Sequence, residues 1–166
     1  MGSDHIGGHL QGIRQGGGGL EAEPANGGRV AARSQFGTAK VKIGRFVVDL
    51  AAARKESYER PGALPDVLPG TIDEDLARRD FSINAMAVSL AAASFGELLD
   101  PFDGRRDLKR GVIRVLHAES FADDATRILR AVRYACRLGF RLEAGTAQHL
   151  STHLRYLDTI GADRIR

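Results

Sequence analysis

Short apolar runs separated by glycine-containing turns dominate the chain between about residue 27 and residue 116. Residues 29–34 and 45–50 ("RFVVDL") have the length and composition of β-strands, and we expect them to be neighbouring strands. "INAMAVSL" and "GELLD" flank a turn of small residues at 92–96, a pattern that predicts a β-hairpin. "GVIRVL" predicts one more short strand.

The apolar period changes from strand-like to helix-like after Glu119, and it predicts one helix over residues 120–138. Ser120 is the expected N-cap and Gly139 the expected C-terminal stop. The apolar positions on one face of this helix are Ile128, Leu129, Val132, Ala135 and Cys136. "TAQHLSTHLRYL" predicts a further helix. Together with the strands, these helices predict an α+β fold, a mixed sheet with helices.

A short helix is also expected before the hairpin. Thr71, with Glu74 three residues later, matches a capping box, and it follows the proline-containing loop "ERPGALPDVLPG". Arg78 and Arg79 would then lie at the end of that helix. After the hairpin, "DPFDGRRDL" is expected to be a polar loop.

Composition is typical of a globular protein. The chain has 166 residues, 43% of them hydrophobic and 27% charged, and no apolar run approaches the roughly 18 residues that span a membrane. The single cysteine excludes an internal disulfide, so we expect a reducing, cytoplasmic location and a core position for Cys136. Residues 1–27 are rich in glycine and are expected to be flexible.

Four arginines recur on the predicted helix 120–138, and such a patch suits phosphate. They are Arg127, Arg130, Arg133 and Arg137. Asp124 and Arg127 project roughly 60° apart, so the pair can reach into a cleft together. A carboxylate beside a guanidinium can hydrogen-bond the edge of a nucleobase, although an ordinary salt bridge on a solvated helix face has the same spacing.

Two more groups of residues could carry chemistry. Arg79 could bind a triphosphate, with Asp80 and Asn84 near a ribose. The alternative for Arg79 is a cation that favours the helix dipole. Asp49 ends an apolar strand, where a carboxylate needs a cationic partner or a bound metal.

Three long motifs in register resemble the class II tRNA nucleotidyltransferase family, which includes CCA-adding enzymes and bacterial poly(A) polymerases. They are "EDLARRDFSINAMAV", "LLDPFDGRRDLKRGVIRVL" and "FADDATRILRAVRYACRLGF". "FGTAKV", "VVDLAAARKESYERPGALP" and the closing "GADRIR" are also similar to the family. The resemblance runs from about Gly27 to the last residue. It implies a partial nucleotidyltransferase head over residues 28–117, and an incomplete helical neck, the nucleotide-template region, over residues 118–166.

The resemblance also implies roles for individual residues. Arg79 would bind the incoming nucleotide, and Asp80 and Asn84 would help to select a ribose. Asp124 and Arg127 would read the Watson–Crick edge of CTP or ATP.

Further positions complete the implied pocket. Arg130 and Arg133 would contact the nucleotide, and "DPFDGRRDL" would be a flexible loop that lets one pocket accept two bases. Asp123 stands where the family usually has Glu, a departure that concerns helix capping more than recognition.

The family's chemistry implies Mg²⁺ held by an Asp-x-Asp pair on an earlier strand. Only Asp4 precedes Asp49 in this sequence, so Asp49 is the one candidate catalytic and metal-binding carboxylate. Residues 73–75 form a literal Asp-x-Asp, but the capping box explains it. His149 and His153 have a metal-ligand spacing without an evident third ligand, so we expect an ordinary surface pair.

These observations predict part of an enzyme that adds C and A to the tRNA 3′ end from CTP and ATP, with this chain inactive in isolation. Addition of A alone by a poly(A) polymerase is the first alternative. A non-catalytic fragment that binds nucleotide or RNA is the second. A fragment that does not fold stably is the third.

Overall fold

The computed structural model describes residues 29–33, 38–57 and 66–161, with only the backbone described for 29–33. The described residues form two compact units: one contains those up to Ala52 and Ala87–Leu99, and the other contains those within Ala53–Met86 and from Asp100 to Gly161. The predicted boundary between the head (28–117) and the neck (118–166) falls inside the second unit. This division into head and neck stays a prediction. The segment predicted to be flexible, 1–27, lies outside the described residues.

Antiparallel strands build the first unit. Its sheet has the order β1 (Arg29–Arg33), β2 (Thr38–Ile43) and β3 (Phe46–Ala51). Val41 lies opposite Val48 in the β2–β3 register, and Gly44 supplies the positive φ of the turn between these strands. The segments predicted to be neighbouring strands, 29–34 and 45–50, correspond to β1 and β3. They are not neighbours, because β2 lies between them and pairs with both.

The predicted hairpin is confirmed in the same unit. Its strands β6 (Ala87–Val88) and β7 (Leu98–Leu99) are antiparallel, and a 3₁₀ turn at Ala92–Ser94 lies between them.

The second unit combines short strands with helices. Its strands are β4 (Arg54–Ser57), β5 (Asp66–Pro69), β8 (Val112–Ile113) and β9 (Arg141–Leu142). Its helices are α1 (Ile72–Ala77), α2 (Gly104–Arg110), α3 (Ser120–Asp123), α4 (Thr126–Leu138) and α5 (Ala144–His153), with 3₁₀ turns at Ser82–Asn84 and Leu154–Thr159. β4 pairs antiparallel with β5, and β8 pairs parallel with β9. The prediction of an α+β fold is confirmed.

One apolar core holds this unit together. The side chains at its centre are buried almost completely, and they are Phe81, Ile113, Val115, Phe121, Ile128 and Ala131. Phe81 directly follows Asp80 and forms a bridge with Val115, so the core fixes the backbone on which Asp80 stands.

The capping box of α1 is confirmed. The backbone N–H of Glu74 donates to Thr71 Oγ1 at 3.2 Å, and the backbone N–H of Thr71 donates to Glu74 Oε2 at 2.8 Å. Helix α1 ends at Ala77 with Arg78 as its C-cap, so Arg78 and Arg79 lie at the helix end as expected.

Two segments predicted to be loops contain regular structure. The described end of the proline-containing loop is strand β5, and most of "DPFDGRRDL" is helix α2. The carboxylate of Asp100 accepts the backbone N–H groups of Gly104 and Arg105 and so caps the first turn of α2. Asp107, fully buried, accepts hydrogen bonds from Ser82 Oγ and Arg114 Nε and fixes the helix to the unit.

The prediction of one continuous helix over 120–138 is wrong, because the chain breaks the helix at Asp124. Asp124 has extended backbone (φ −141°, ψ 101°) and ends α3. Its Oδ1 accepts the backbone N–H and the hydroxyl of Thr126, at 3.0 and 2.7 Å, and so starts α4. The residue that precedes α3 as N-cap is Glu119, not Ser120, while Gly139 ends α4 as predicted.

The apolar face predicted for this helix also needs correction. Ile128 is buried, but Val132 is half exposed and Cys136 is exposed rather than a core thiol. The buried face of α4 is formed by Arg127, Ile128 and Ala131.

Helix α5 is confirmed, although its histidines are not a surface pair. His153 is only 7% exposed, and its Nδ1 lies 2.7 Å from the carbonyl oxygen of His149. Within the part of the chain that the structure describes, no helix is both long enough and apolar enough to cross a bilayer.

Candidate functional site: an arginine-lined cleft

A cleft of about 540 Å³ opens in the second unit, and we call it the arginine cleft. Five arginines line it, namely Arg54, Arg78, Arg79, Arg127 and Arg130. The other lining residues are Glu56, Asp80, Asn84, Asp124 and Tyr134. Six of the eight residues predicted to form the site therefore lie in one cavity.

Asp75 supports one wall of the cleft from behind. Its side chain is fully buried, and its Oδ1 accepts Arg78 Nε at 3.0 Å and Arg78 Nη2 at 2.7 Å. Its Oδ2 accepts Arg79 Nη2 at 2.7 Å. Burial alone would raise the pKa of Asp75, but the hydrogen bonds from Arg79 and Arg78 outweigh it and hold the pKa below its ordinary value. The carboxylate is therefore ionised at neutral pH and neutralises part of the arginine charge.

Glu56 supports the same wall from strand β4. Its side chain is 7% exposed, and Oε1 lies 2.9 Å from Arg78 Nη1 and 3.0 Å from Arg54 Nη2. With Asp75 on its other side, Arg78 is held through all three of its side-chain nitrogens.

Asp80, Asn84 and Arg130 form a second network on the cleft wall. Asp80 Oδ1 accepts Asn84 Nδ2 at 2.9 Å, and Asp80 Oδ2 accepts Arg130 Nε at 2.7 Å and Arg130 Nη2 at 2.5 Å. The Arg130 guanidinium also lies over the ring of Tyr134, 5.6 Å from its centroid. Burial would lower the pKa of Arg130, but the Asp80 carboxylate raises it more, so this cation keeps its proton. A carboxylate whose two oxygens are held separately by an amide and a guanidinium presents a fixed set of polar groups to a ligand.

Asp124 and Arg127 meet the cleft where α3 gives way to α4. Arg127 is 5% exposed and donates from Nη1 to Ser120 Oγ at 2.7 Å and from Nη2 to the carbonyl oxygen of Arg78 at 2.9 Å. A guanidinium has five N–H donors, so these contacts fix the group and leave further donors. The Asp124 carboxylate is held by Thr126 through Oδ1. Both side chains are thus positioned before any ligand binds.

Two predicted site residues lie elsewhere. Arg133 is on the exposed part of α4 and does not line the cleft. Asp49 belongs to the first unit, where its Oδ1 forms an ion pair at 3.0 Å with Lys40 Nζ and its side chain is 52% exposed.

The described residues do not fit a magnesium site. Among residues 38–57 and 66–161, no group of three His, Cys, Asp or Glu side chains is arranged to hold a metal, and the cationic partner of Asp49 is already Lys40. The metal role of Asp49 stays a prediction.

Sequence reasoning missed several residues that build the cleft. Asp75 was attributed to helix capping, and Arg54, Glu56, Arg78 and Tyr134 received no role in the site. The adjacent arginines in "ARRD" were the available signal, since guanidiniums that are partly buried need acidic partners.

Comparisons with known proteins identify the family of the chain. The Poly A polymerase head domain family matches residues 24–114. The A-adding tRNA nucleotidyltransferase of Halalkalibacterium halodurans is 52% identical over 122 residues, which are 73% of this chain and 29% of that protein. The chain thus spans less than a third of that relative's length.

Solved structures give the same result. A CCA-adding enzyme in an apo form superposes with a TM-score of 0.79 at 44% identity, covering 84% of this chain and 34% of the other. A tRNA nucleotidyltransferase complexed with a primer tRNA and an incoming ATP analog gives a TM-score of 0.72 at 44% identity, covering 84% of this chain and 39% of the other. Because the family match extends over more than half of the sequence, the chain belongs to the Poly A polymerase head domain family, as its resemblance to the tRNA nucleotidyltransferases predicted.

Proposed function

We propose that this chain is the nucleotide-binding part of a cytoplasmic tRNA 3′-end nucleotidyltransferase, and that the arginine cleft holds the incoming CTP or ATP. The observation that carries the proposal is the convergence of Arg79, the Asp80–Asn84–Arg130 network and the Asp124–Arg127 pair on one cavity. Arg79 is suited to the phosphate groups, the Asp80–Asn84–Arg130 network to the ribose, and the Asp124–Arg127 pair to the base.

Base selection follows from the chemistry of Asp124 and Arg127. Cytosine and adenine each present an amino donor beside a ring-nitrogen acceptor on their Watson–Crick edge, whereas guanine and uracil present a carbonyl beside an N–H. A carboxylate can accept only, and a guanidinium can donate only. The pair therefore complements C and A and repels G and U.

The relatives support tRNA as the second substrate. One similar protein is named as A-adding, another as CCA-adding, and a third has been solved with a primer tRNA and an incoming ATP analog. Addition of C and A to tRNA fits the base selection proposed for Asp124 and Arg127, and addition of A alone is the close alternative.

The described residues do not supply a set of ligands for magnesium. The proposal for this chain is nucleotide binding with base selection. Incorporation of labelled nucleotide into tRNA by the 166-residue chain tests whether it also catalyses; the sequence predicts that it does not.

Calorimetric titration of the chain with ATP, CTP, GTP and UTP tests the binding proposal. We expect ATP and CTP to bind in preference to GTP and UTP. Asp124→Asn should reduce that preference, because the amide keeps an oxygen for Thr126 but replaces the other acceptor with a donor. The control is Arg137→Ala, an exposed position on the same helix outside the cleft. Failure of all four nucleotides to bind would contradict the proposal, and preference for ATP alone would favour the A-adding alternative.

A further inference from the structure

Asp75 holds two adjacent arginines in different ways. Arg78 uses Nε and Nη2 on Asp75 Oδ1, and Nη1 on Glu56. Arg79 uses Nε on the carbonyl oxygen of Asp75 at 3.3 Å and Nη2 on Asp75 Oδ2. Within the described residues, these contacts occupy every nitrogen of the Arg78 guanidinium but leave Nη1 of Arg79. Arg78 is therefore a structural support, and Arg79 keeps a donor for a ligand.

Helix capping does not explain the position of Asp75. Glu74 accepts the backbone N–H of Thr71, as a first-turn acid should. The Asp75 carboxylate, by contrast, is fully buried and accepts three guanidinium hydrogen bonds and the backbone N–H of Arg54 at 3.3 Å. A charge with no access to water is costly unless it is fully paired, so its partners have to stay in place.

The geometry points to Asp75 as the residue that positions Arg79 to bind the phosphate chain of the incoming nucleotide. The inference rests on the proposed function and deepens it. Asp75 does not touch the ligand itself; its Oδ2 accepts Arg79 Nη2 and its backbone carbonyl oxygen accepts Arg79 Nε, so that Nη1 is left for the cleft that Arg79 lines. Because the arginine is already oriented, less side-chain entropy is lost when a phosphate binds.

Replacement of Asp75 by Asn affects the two arginines unequally. Oδ1 accepts three hydrogen bonds, and Oδ2 accepts one. The amide oxygen of Asn should therefore take the place of Oδ1, and its NH₂ group, a donor, should face Nη2 of Arg79. Asp75→Asn thus keeps the shape and the support of Arg78 while removing the side-chain hydrogen bond of Arg79, whose Nε keeps its bond to the backbone carbonyl of residue 75.

The test compares Asp75→Asn with Asp107→Asn in the full chain. Asp107 is a matched control, since its side chain is also fully buried, is paired with an arginine (Arg114), and does not line the cleft. Calorimetry would measure the affinities for ATP, GTP and inorganic tripolyphosphate. We expect Asp75→Asn to weaken binding of ATP and of tripolyphosphate by about tenfold, the cost of ordering one long side chain on binding, with the ratio of ATP to GTP affinity unchanged. Asp107→Asn should bind both ligands as the wild type does.

Several outcomes would overturn the inference. An affinity of Asp75→Asn for tripolyphosphate within twofold of the wild type would do so, and so would an equal loss in Asp107→Asn, which would indicate general destabilisation. Failure of the wild type to bind ATP and tripolyphosphate would overturn the proposed function, and the phosphate role of Arg79 with it.

A second measurement isolates the positioning itself from nucleotide binding. The order parameter of the Arg79 Nε–Hε group, assigned with Arg79→Lys, reports side-chain motion on the picosecond to nanosecond timescale. We expect a rigid group in the wild type and in Asp107→Asn, and a more mobile one in Asp75→Asn, where only the hydrogen bond from Nε to the backbone carbonyl remains. An equally rigid group in Asp75→Asn would refute the positioning role even if nucleotide binding were confirmed.

Discussion

Arg127→Met tests whether the buried guanidinium of α4 is fixed by the contacts that the structure shows. The Arg127 side chain is 5% exposed and joins Ser120 Oγ to the carbonyl oxygen of Arg78 across 49 residues of sequence. Methionine has a similar length and packs adaptably, so the substitution removes the donors and leaves only a small cavity. Ser120, which is fully buried, and the Arg78 carbonyl would each lose a hydrogen bond.

The expected loss of stability follows from these two groups. An unsatisfied buried polar group costs about 1–3 kcal/mol, so the pair predicts a loss of about 2–6 kcal/mol in the free energy of unfolding. Urea denaturation at 25 °C, followed by far-UV circular dichroism, measures it. Arg133→Met, on the exposed part of the same helix, should change stability by no more than about 0.5 kcal/mol. An equally small effect of Arg127→Met would refute the view that these two hydrogen bonds hold Arg127 in the cleft wall.

Three further predictions concern the helix start, the buried acid and the cleft wall. Thr71→Ala should reduce the free energy of unfolding by about 1 kcal/mol in urea denaturation, because the capping box is lost; an unchanged midpoint would contradict this. Burial would raise the pKa of Asp107, but hydrogen bonds, first that from Arg114, lower it below the ordinary value. Its contribution to stability should therefore be complete above the unfolded-state pKa of about 4 and be lost as the pH falls through the lowered pKa, so acid unfolding of Asp107→Asn should depend less steeply on pH. Arg130→Ala should weaken ATP binding by about tenfold in calorimetry, whereas Arg133→Ala, outside the cleft, should weaken it far less; equal losses would place Arg133 in the site.

Sequence patterns predicted the features that depend on neighbouring residues. The capping box at Thr71, the stop at Gly139 and the hairpin after Ala87 each follow from residues a few positions apart, where the local backbone conformation decides the outcome. The candidate residues Arg79, Asp80 and Asn84 were also found, because a helix end followed by a strand-like run keeps them adjacent.

Features that depend on distant partners could not be predicted in this way. Helix α2 was expected to be a loop, because its polar sequence gives no sign that Asp107 is buried against Ser82, 25 residues earlier. The break at Asp124 was missed because the helical period of the apolar residues continues through it, while a side-chain contact with Thr126 decides the backbone. Arg127, predicted to reach into a cleft beside Asp124, is itself buried because its partners are Ser120 and the carbonyl of Arg78.

Hydrogen–deuterium exchange of the chain, measured with and without ATP, tests the central claim most directly. If the arginine cleft binds the nucleotide, ATP should slow exchange at residues 78–84 and 124–134, the backbone segments that carry most of the cleft side chains. Protection confined to strands β1–β3 of the first unit, or no protection with ATP at saturating concentration, would contradict the assignment of nucleotide binding to this cleft.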